Sequence, residues 1–440
     1  MTAEVPGIGG RWALAFLAAF CAIVVFAPPL PIDFEFASRG VKLDQVLLLP
    51  LVYLTVRRDP DAASVAVSNP AMRPLWWFAG FSLVSALWSL IFAPGLSVGG
   101  ALAGAWGTFR LPFVMLLGLT AGARVTDTQR RSFSWFLAFL TVLMAGVATA
   151  QLFKWEPIYG FLSANYTRKA DFDLVLEALD LGRAYGTFDG QPNVLGSFGV
   201  LGVAVIGSLL VEADRSRARL LLAGATFAAT WLIAISWSRG AYAGALTVLM
   251  YLLWRAGRRR LLGFVVAGTV VLVGLYSVLP EVPLERLMQL MEARGDGSGE
   301  SIFESRLPFW QTNWELFTQN PLFGLRSADS APLDNLYLGL LLVHGLAGTI
   351  VFAFACLRFL RLLRSLESPG ARVLGMACSA TTLGWLVNGL SVPSFFGERV
   401  QELFFVVMGV ALAAPELAVG RDDALSTKSS DSPVSAPELP

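Results

Sequence analysis

The chain has 440 residues, of which 55% are hydrophobic and only 15% charged; a soluble domain carries about 25% charged residues, so a water-soluble fold is excluded. A net charge of +1 leaves no global electrostatic case for nucleic acid as a partner. Cys21, Cys356 and Cys378 all stand in apolar runs, as packing residues do, and point to neither a disulfide framework nor a thiolate metal site.

Taken in order, the sequence predicts an all-α polytopic membrane protein with about twelve transmembrane helices, each near the ~20 residues that a bilayer requires. The expected spans are 12–30, 41–56, 74–93, 101–122, 132–153, 192–211, 219–237, 240–254, 261–279, 335–357, 373–390 and 402–418. The first apolar run ends in Ala27-Pro28-Pro29 without a small-x-small cleavage pattern, so it is expected to stay as the first span. Residues 1–279 hold nine spans and an outward loop at 154–191. A large helical loop occupies 280–334, three more spans fill 335–418, and 419–440, rich in Ser, Pro and Asp, is expected to be disordered.

Lys and Arg fall unevenly between alternate loops. With the N-terminus inside, the inner loops collect Arg57, Arg58, Arg124, Arg130, Arg131, Arg215, Arg217, Arg219 and the acid-free runs Arg255–Arg260 and Arg358–Arg364. Positive residues favour the cytoplasmic side, so both termini are expected there, with the loops 154–191 and 280–334 outside.

The stretch Pro280–Asn335 is the longest interruption of the apolar pattern. Leu284, Leu287, Met288 and Met291 share one helical face; beyond a Gly/Asp/Ser hinge at Gly295–Gly299, Phe303, Leu307, Trp310, Trp314 and Phe317 form a second periodic run. Helices of this kind lie at a membrane surface with aromatic rings at headgroup depth. Arg286, Arg294, Arg306 and Arg326 stand among its acids and are expected to be outward-facing.

Candidate chemistry gathers on the outward side. Arg183 precedes a turn at Pro192-Asn193, and Arg239 lies in Ser-Arg-Gly, a tight turn between two apolar runs. Guanidinium grips phosphate oxygens in a planar fork and keeps its charge at any physiological pH, so arginines converging from several loops suit a pyrophosphate. Plainer readings stand beside this one: Arg239 snorkelling to headgroups, Arg183 paired with Asp180 or Asp189, Arg306 in a surface pair, and Arg110, inside a span, paired with Asp44 or a backbone carbonyl. Asp334 begins the tenth span and is either a helix cap or the base that deprotonates an acceptor hydroxyl. His344, the only histidine, sits more than two turns deeper and reads as a packed residue. The sequence contains no phosphate loop, His-x-x-x-His pair, Cys-x-x-Cys pair or dinucleotide fingerprint, and nothing in it calls for a metal, ATP or another cofactor.

These residues together resemble the O-antigen ligase/polymerase superfamily of bacterial envelope glycan enzymes. The resemblance rests on Arg183-x-x-Gly-Thr-Phe…Pro192-Asn193, Ser238-Arg239-Gly240, and the large outward loop between late spans. It extends to Arg306…Trp310…Asn320-Pro321-Leu322-Phe323-Gly324, and to Asp334-Asn335-x-Tyr337 with His344-Gly345-Leu346-Ala347-Gly348. It implies a GT-C-like membrane glycosyltransferase of the bacterial inner membrane, using an undecaprenyl-pyrophosphate-linked glycan on the periplasmic side. It also implies metal-independent inversion, with Arg183, Arg239 and Arg306, and Arg110 as a further candidate, holding the pyrophosphate. The acceptor is a second repeat unit in a polymerase, or lipid A-core in a ligase of lipopolysaccharide biosynthesis. Ligases of this family carry His-Asn where this chain has Asp334-Asn335, so the resemblance points toward a polymerase of O-antigen or exopolysaccharide units with Asp334 and Arg239 as catalytic residues. A carrier of polyprenyl-linked glycans and a structural membrane partner in glycan assembly are the competing classes; the former would show paired halves with interrupted helices.

Overall fold

The computed structural model describes residues 8–30, 41–93, 96–166, 179, 182–188, 191–257, 302–325, 335–391, 395 and 398–414. The span expected at 261–279, the run Leu284–Met291, the hinge Gly295–Gly299, Arg286, Arg294, Arg326, Asp334 and the tail from 419 lie outside them.

Within these residues the chain is helical apart from a two-residue antiparallel pair, β1 (Pro29–Leu30) with β2 (Val41–Lys42). The N-terminal helices are α1 (Ile8–Phe26), α2 (Leu43–Arg58), α3 (Pro60–Val67), α4 (Met72–Phe92), α5 (Val98–Phe109) and α6 (Leu111–Gly122). The middle of the chain forms α7 (Asp127–Leu152), α8 (Glu156–Tyr166), α9 (Pro192–Val211), α10 (Ser216–Ser236) and α11 (Arg239–Ala256). The remainder gives α12 (Ile302–Gln319), α13 (Leu336–Arg364), α14 (Pro369–Asn388) and α15 (Glu398–Leu412).

Among the described residues, seven stretches are long and apolar enough to cross a bilayer: α1 from Gly9, α4, α5 with α6, α7, α9, α10 and α13. The all-α membrane architecture is therefore as expected. Two of the other expected spans are short, α2 with 16 residues and α15 with 15. The expected single helix over 101–122 is instead two helices that meet at Arg110. Pro112 supplies the reason: it lacks an N–H and its ring crowds the carbonyl four residues back.

Small residues set the helix spacing. Between helices in lipid the hydrophobic effect gives no net drive, and close contact replaces it. A Cβ at Gly199 of α9 would stand 2.6 Å from the Ile233 side chain of α10, and one at Gly202 would stand 2.5 Å from Thr141 of α7. Helices α6 and α15 cross almost backbone to backbone, since a Cβ at Gly118 would meet the Val406 carbonyl oxygen at 2.4 Å and one at Gly409 would meet that of Met115 at 2.5 Å. Gly244 of α11 and Gly384 of α14 face each other in the same way. Helix α9 is buried on nearly every side and forms the axis of the bundle.

One end of the bundle is basic. Arg124 pairs with Asp59, Arg372 Nη2 lies 2.6 Å from Glu212 Oε2, and Asp127 accepts from the backbone N–H groups of Gly370 and Ala371. Arg130 donates to the carbonyls of Gly122 (3.0 Å) and Ala413 (3.3 Å). Gly10 lies against the Arg124 carbonyl, so the start of α1 and the end of α15 share this end.

Helix α13 is broken at Gly345 (φ 64°, ψ −172°). The break is closed by the segment after α12. Leu325 N donates to Leu342 O at 2.7 Å, Leu346 N to Pro321 O at 2.8 Å and Ala347 N to Leu322 O at 3.3 Å. Trp88 Nε1 fixes Asn320 Oδ1 at 3.1 Å, while Phe323 packs between Phe81 and Trp88. Asn-Pro-Leu-Phe-Gly and His-Gly, distant in sequence, are thus the two halves of one backbone splice. His344 is buried there, its ring 5.0 Å from that of Phe78, as a packing residue would be.

Gly345→Ala should be among the most destabilising single-methyl changes in the chain. A left-handed non-glycine residue costs roughly 1–3 kcal/mol, and the added Cβ would stand 2.3 Å from Leu322 O. Gly80→Ala on α4, where a Cβ meets nothing within 4 Å, is the control. In detergent melting curves, the first variant should lose several degrees relative to the second.

Candidate functional site

At the end of the bundle opposite the basic one, the segment Gly182–Phe188 is held by four helices. Ala184 N donates to Ile235 O at 2.9 Å, and Trp237 Nε1 donates to Gly182 O at 3.0 Å, which binds the segment to the end of α10. Gln151, at the end of α7, accepts from Tyr185 N (3.0 Å) and Gly186 N (2.9 Å) through a single oxygen. Thr187 Oγ1 donates to Val25 O of α1 at 2.5 Å, and Arg399 Nη1 of α15 donates to Thr187 O at 3.1 Å.

This anchoring fixes Arg183. Its Nε donates to Ser236 O at 3.3 Å and its Nη2 to Asn193 Oδ1 at 3.2 Å, so the guanidinium bridges the end of α10 and the start of α9. Arg239 follows one short turn later. Trp237 closes α10 in the left-handed region (φ 54°, ψ 27°), a position usually given to glycine. Its indole bond to Gly182 holds it there. Ser238 caps α11 by accepting from Ala241 N, and Arg239 is the first residue of that helix, with its side chain exposed. The structure thereby brings Arg183 and Arg239 to the two sides of one turn.

Helix α14 ends against the same turn. A Cβ at Gly240 would fall 2.0 Å from Ser391 Oγ and 2.2 Å from Asn388 Oδ1, which accounts for the glycine in Ser-Arg-Gly. Asn388 Nδ2 in turn donates to Ser197 Oγ of α9 at 3.0 Å. On the other side of α14, Leu336 N donates to Gly389 O (2.7 Å), Asn335 Nδ2 to Leu390 O (3.2 Å) and Tyr337 Oη to Leu386 O (2.6 Å). The end of α14 therefore ties the start of α13 to the Ser-Arg-Gly turn.

Asn335, not Asp334, caps α13: its Oδ1 accepts from Tyr337 N (2.9 Å) and Leu338 N (3.1 Å). Asp334 itself lies outside the described residues. Arg306 belongs to α12, whose C-terminal end leads into the splice on α13. Arg110 is placed elsewhere: buried at the α5–α6 junction, its Nε is 3.1 Å from Glu402 Oε1, so its partner is Glu402 rather than Asp44 or a carbonyl.

Gln151, Trp237, Asn388 and Arg399 were not singled out by sequence as site residues. Each is a polar or amphipathic side chain at the edge of an apolar run, where burial demands a partner; that is the one local signal they offer. No protein-family model matches the chain, and no curated protein shows significant similarity to it.

Replacing Gln151 by Leu removes one acceptor from two buried backbone donors. Leaving a buried donor unmet costs about 1–3 kcal/mol, so Gln151→Leu should lower the melting temperature. It should also raise amide hydrogen exchange at Tyr185 and Gly186 far more than at α9.

Proposed function

We propose that this chain is a membrane glycosyltransferase that moves an undecaprenyl-pyrophosphate-linked glycan onto an acceptor sugar at the periplasmic face of a bacterial inner membrane, as an O-antigen or exopolysaccharide repeat-unit polymerase. The observation that carries the reading is the convergence of Arg183 and Arg239 on one anchored turn at one end of a membrane-spanning bundle. Arg183 is held by Ser236 O and Asn193 Oδ1 and Arg239 stands exposed at the first residue of α11, so the anchored turn presents two cationic forks to a pyrophosphate.

In this reading Arg183 and Arg239, with Arg306 of α12, hold the pyrophosphate and neutralise it as it leaves. Asp334, one residue before the capping Asn335, takes the proton from the acceptor hydroxyl. The hydroxyl oxygen bonds to the anomeric carbon as the bond to pyrophosphate breaks, which inverts the configuration. The reading is metal-independent, places both termini in the cytoplasm, and keeps a GT-C-like arrangement of about twelve spans. Arg110, engaged by Glu402, drops out of the binding set. The partners are the lipid-linked glycan donor, an acceptor glycan and membrane lipids. Transfer to lipid A-core, the ligase reaction, is the alternative acceptor chemistry; aspartate at 334 favours the polymerase.

One observation favours a second reading, a carrier for the same lipid-linked glycan: α13 is an interrupted helix, a device common in transporters. Against it, the backbone groups at the break are taken up by Pro321, Leu322 and Leu325 of the same chain.

Purified protein given a lipid-linked repeat unit separates these readings. A transferase lengthens the glycan in detergent, where no compartment exists; a carrier leaves it unchanged. Arg183→Lys and Arg239→Lys keep charge but lose the fork, and each should reduce transfer severely with normal membrane insertion. Asp334→Asn should reduce it about 100-fold, the typical contribution of an acid/base group, whereas His344→Gln should retain transfer. Near-normal transfer in both lysine variants would remove the arginines from the mechanism. A cysteine at Ser298 should react with an impermeant thiol reagent added outside, and one at Gly257 should not; the reverse would put the turn on the wrong side.

A further inference from the structure

Three hydrogen bonds join the Arg183 segment to the end of α10, and their partners run in opposite chain directions. Ala184 N donates to Ile235 O at 2.9 Å, Arg183 Nε to Ser236 O at 3.3 Å and Trp237 Nε1 to Gly182 O at 3.0 Å. The first rung is backbone to backbone. The other two are reciprocal, since each side chain donates to the peptide group that precedes the other residue. The Gly182 carbonyl belongs to the peptide plane from which Arg183 starts, and the Ser236 carbonyl to the one from which Trp237 starts. Turning either plane therefore breaks the bond that the opposite side chain makes to it.

Trp237 holds its place in this clasp against its own backbone preference. At φ 54° and ψ 27° it lies in the left-handed region, which a glycine would enter without steric cost. Among the described residues, Lys154 is the only other non-glycine residue with positive φ. It follows the end of α7, three residues after Gln151, whose side chain accepts from Tyr185 N and Gly186 N. Both strained positions thus flank the one segment that carries Arg183. Strain of this kind persists where the surroundings over-determine it, and it gathers at functional sites. Two residues beyond Trp237 stands Arg239, the first residue of α11. The indole therefore ties the peptide plane that launches one arginine to the turn that delivers the other.

We propose that Trp237 is a positioning residue for glycan transfer: through its indole N–H it sets the direction of Arg183 relative to Arg239. The proposal rests on the reading of these two arginines as the grip on the pyrophosphate. Charge develops on that group as its bond to the sugar breaks, and the forks must already be aligned with it. A misaligned fork slows this step more than it weakens binding of the donor. The tryptophan is the side chain that makes the left-handed turn serve this alignment; glycine would suit the backbone and leave one rung of the clasp unmade.

The test is steady-state transfer from a lipid-linked repeat unit by purified full chain in detergent, per folded molecule, with melting temperatures measured alongside. Trp237→Phe keeps an aromatic ring and loses the N–H. Trp237→Gly loses the indole but fits the left-handed backbone, so it stands in where the phenylalanine variant folds poorly. Each should lower kcat about ten-fold or more, with KM for the donor within about three-fold of the wild type. Gly375→Ala is the stability control: at the basic end of the bundle a Cβ there would stand 2.8 Å from Leu363 O. It should melt earlier and keep kcat. Retained kcat in either tryptophan variant of an active enzyme overturns the positioning role alone. An equal fall of kcat in Gly375→Ala also overturns it, because kcat would then follow stability. Absence of transfer from the wild type removes the glycosyltransferase reading, and this role with it.

Discussion

In the hydrocarbon of a membrane every backbone N–H and C=O must find a partner within the protein, and this constraint is most exposed where α13 breaks. Gly345 turns the chain into a conformation that ends the helical ladder, which would leave several peptide groups unmet in the middle of a span. The protein meets them with Pro321, Leu322 and Leu325, from the segment that follows α12. The break therefore dictates where the end of α12 must lie, and Trp88 of α4 grips that end through Asn320. A local defect in one helix becomes the joint between three.

The polar end of the bundle is assembled by the same rule. The segment Gly182–Phe188 has no regular structure of its own, yet its backbone groups are met by Gln151, Ile235, Trp237 and Arg399. The bonds come from the ends of α7 and α10 and from α15, so the segment that carries Arg183 is placed by the bundle as a whole. This is how a site on a loop gains the rigidity otherwise expected of helices. It also gives the left-handed Trp237 a reason: the backbone conformation aims the indole at Gly182, and the tether holds the conformation.

Much of this was legible in the sequence, and what was not has physical causes. Apolar runs announced α4, α7, α9 and α10, because length and composition alone decide whether a helix can enter lipid. Ser238-Arg239-Gly240 read as a turn, and the structure explains its glycine by the approach of Asn388 and Ser391. The break at Arg110 lay in the expected single span 101–122, although Pro112 carried the signal. Apolar content described α15 less well, since its burial depends on Gly118, Gly122 and Gly409 in a crossing that no local window contains. The pairing of Arg110 with Glu402, across nearly 300 residues of chain, was likewise a tertiary fact.

The tight crossing of α6 and α15 bears on how the protein is made. Helix α15 is 15 residues long and begins with Glu398, Arg399, Gln401 and Glu402. A charged residue costs up to about 2.5–3.5 kcal/mol at mid-membrane on insertion scales, so such a segment gains little by leaving the translocon alone. Its glycine faces one on α6, its Glu402 has a counter-ion at the α6 boundary, and both partners are synthesised hundreds of residues earlier. Helix α15 is thus held by its docking against α6 more than by partition into lipid. The polar end of the bundle takes Arg399 from that helix, so it is complete only once α15 has docked.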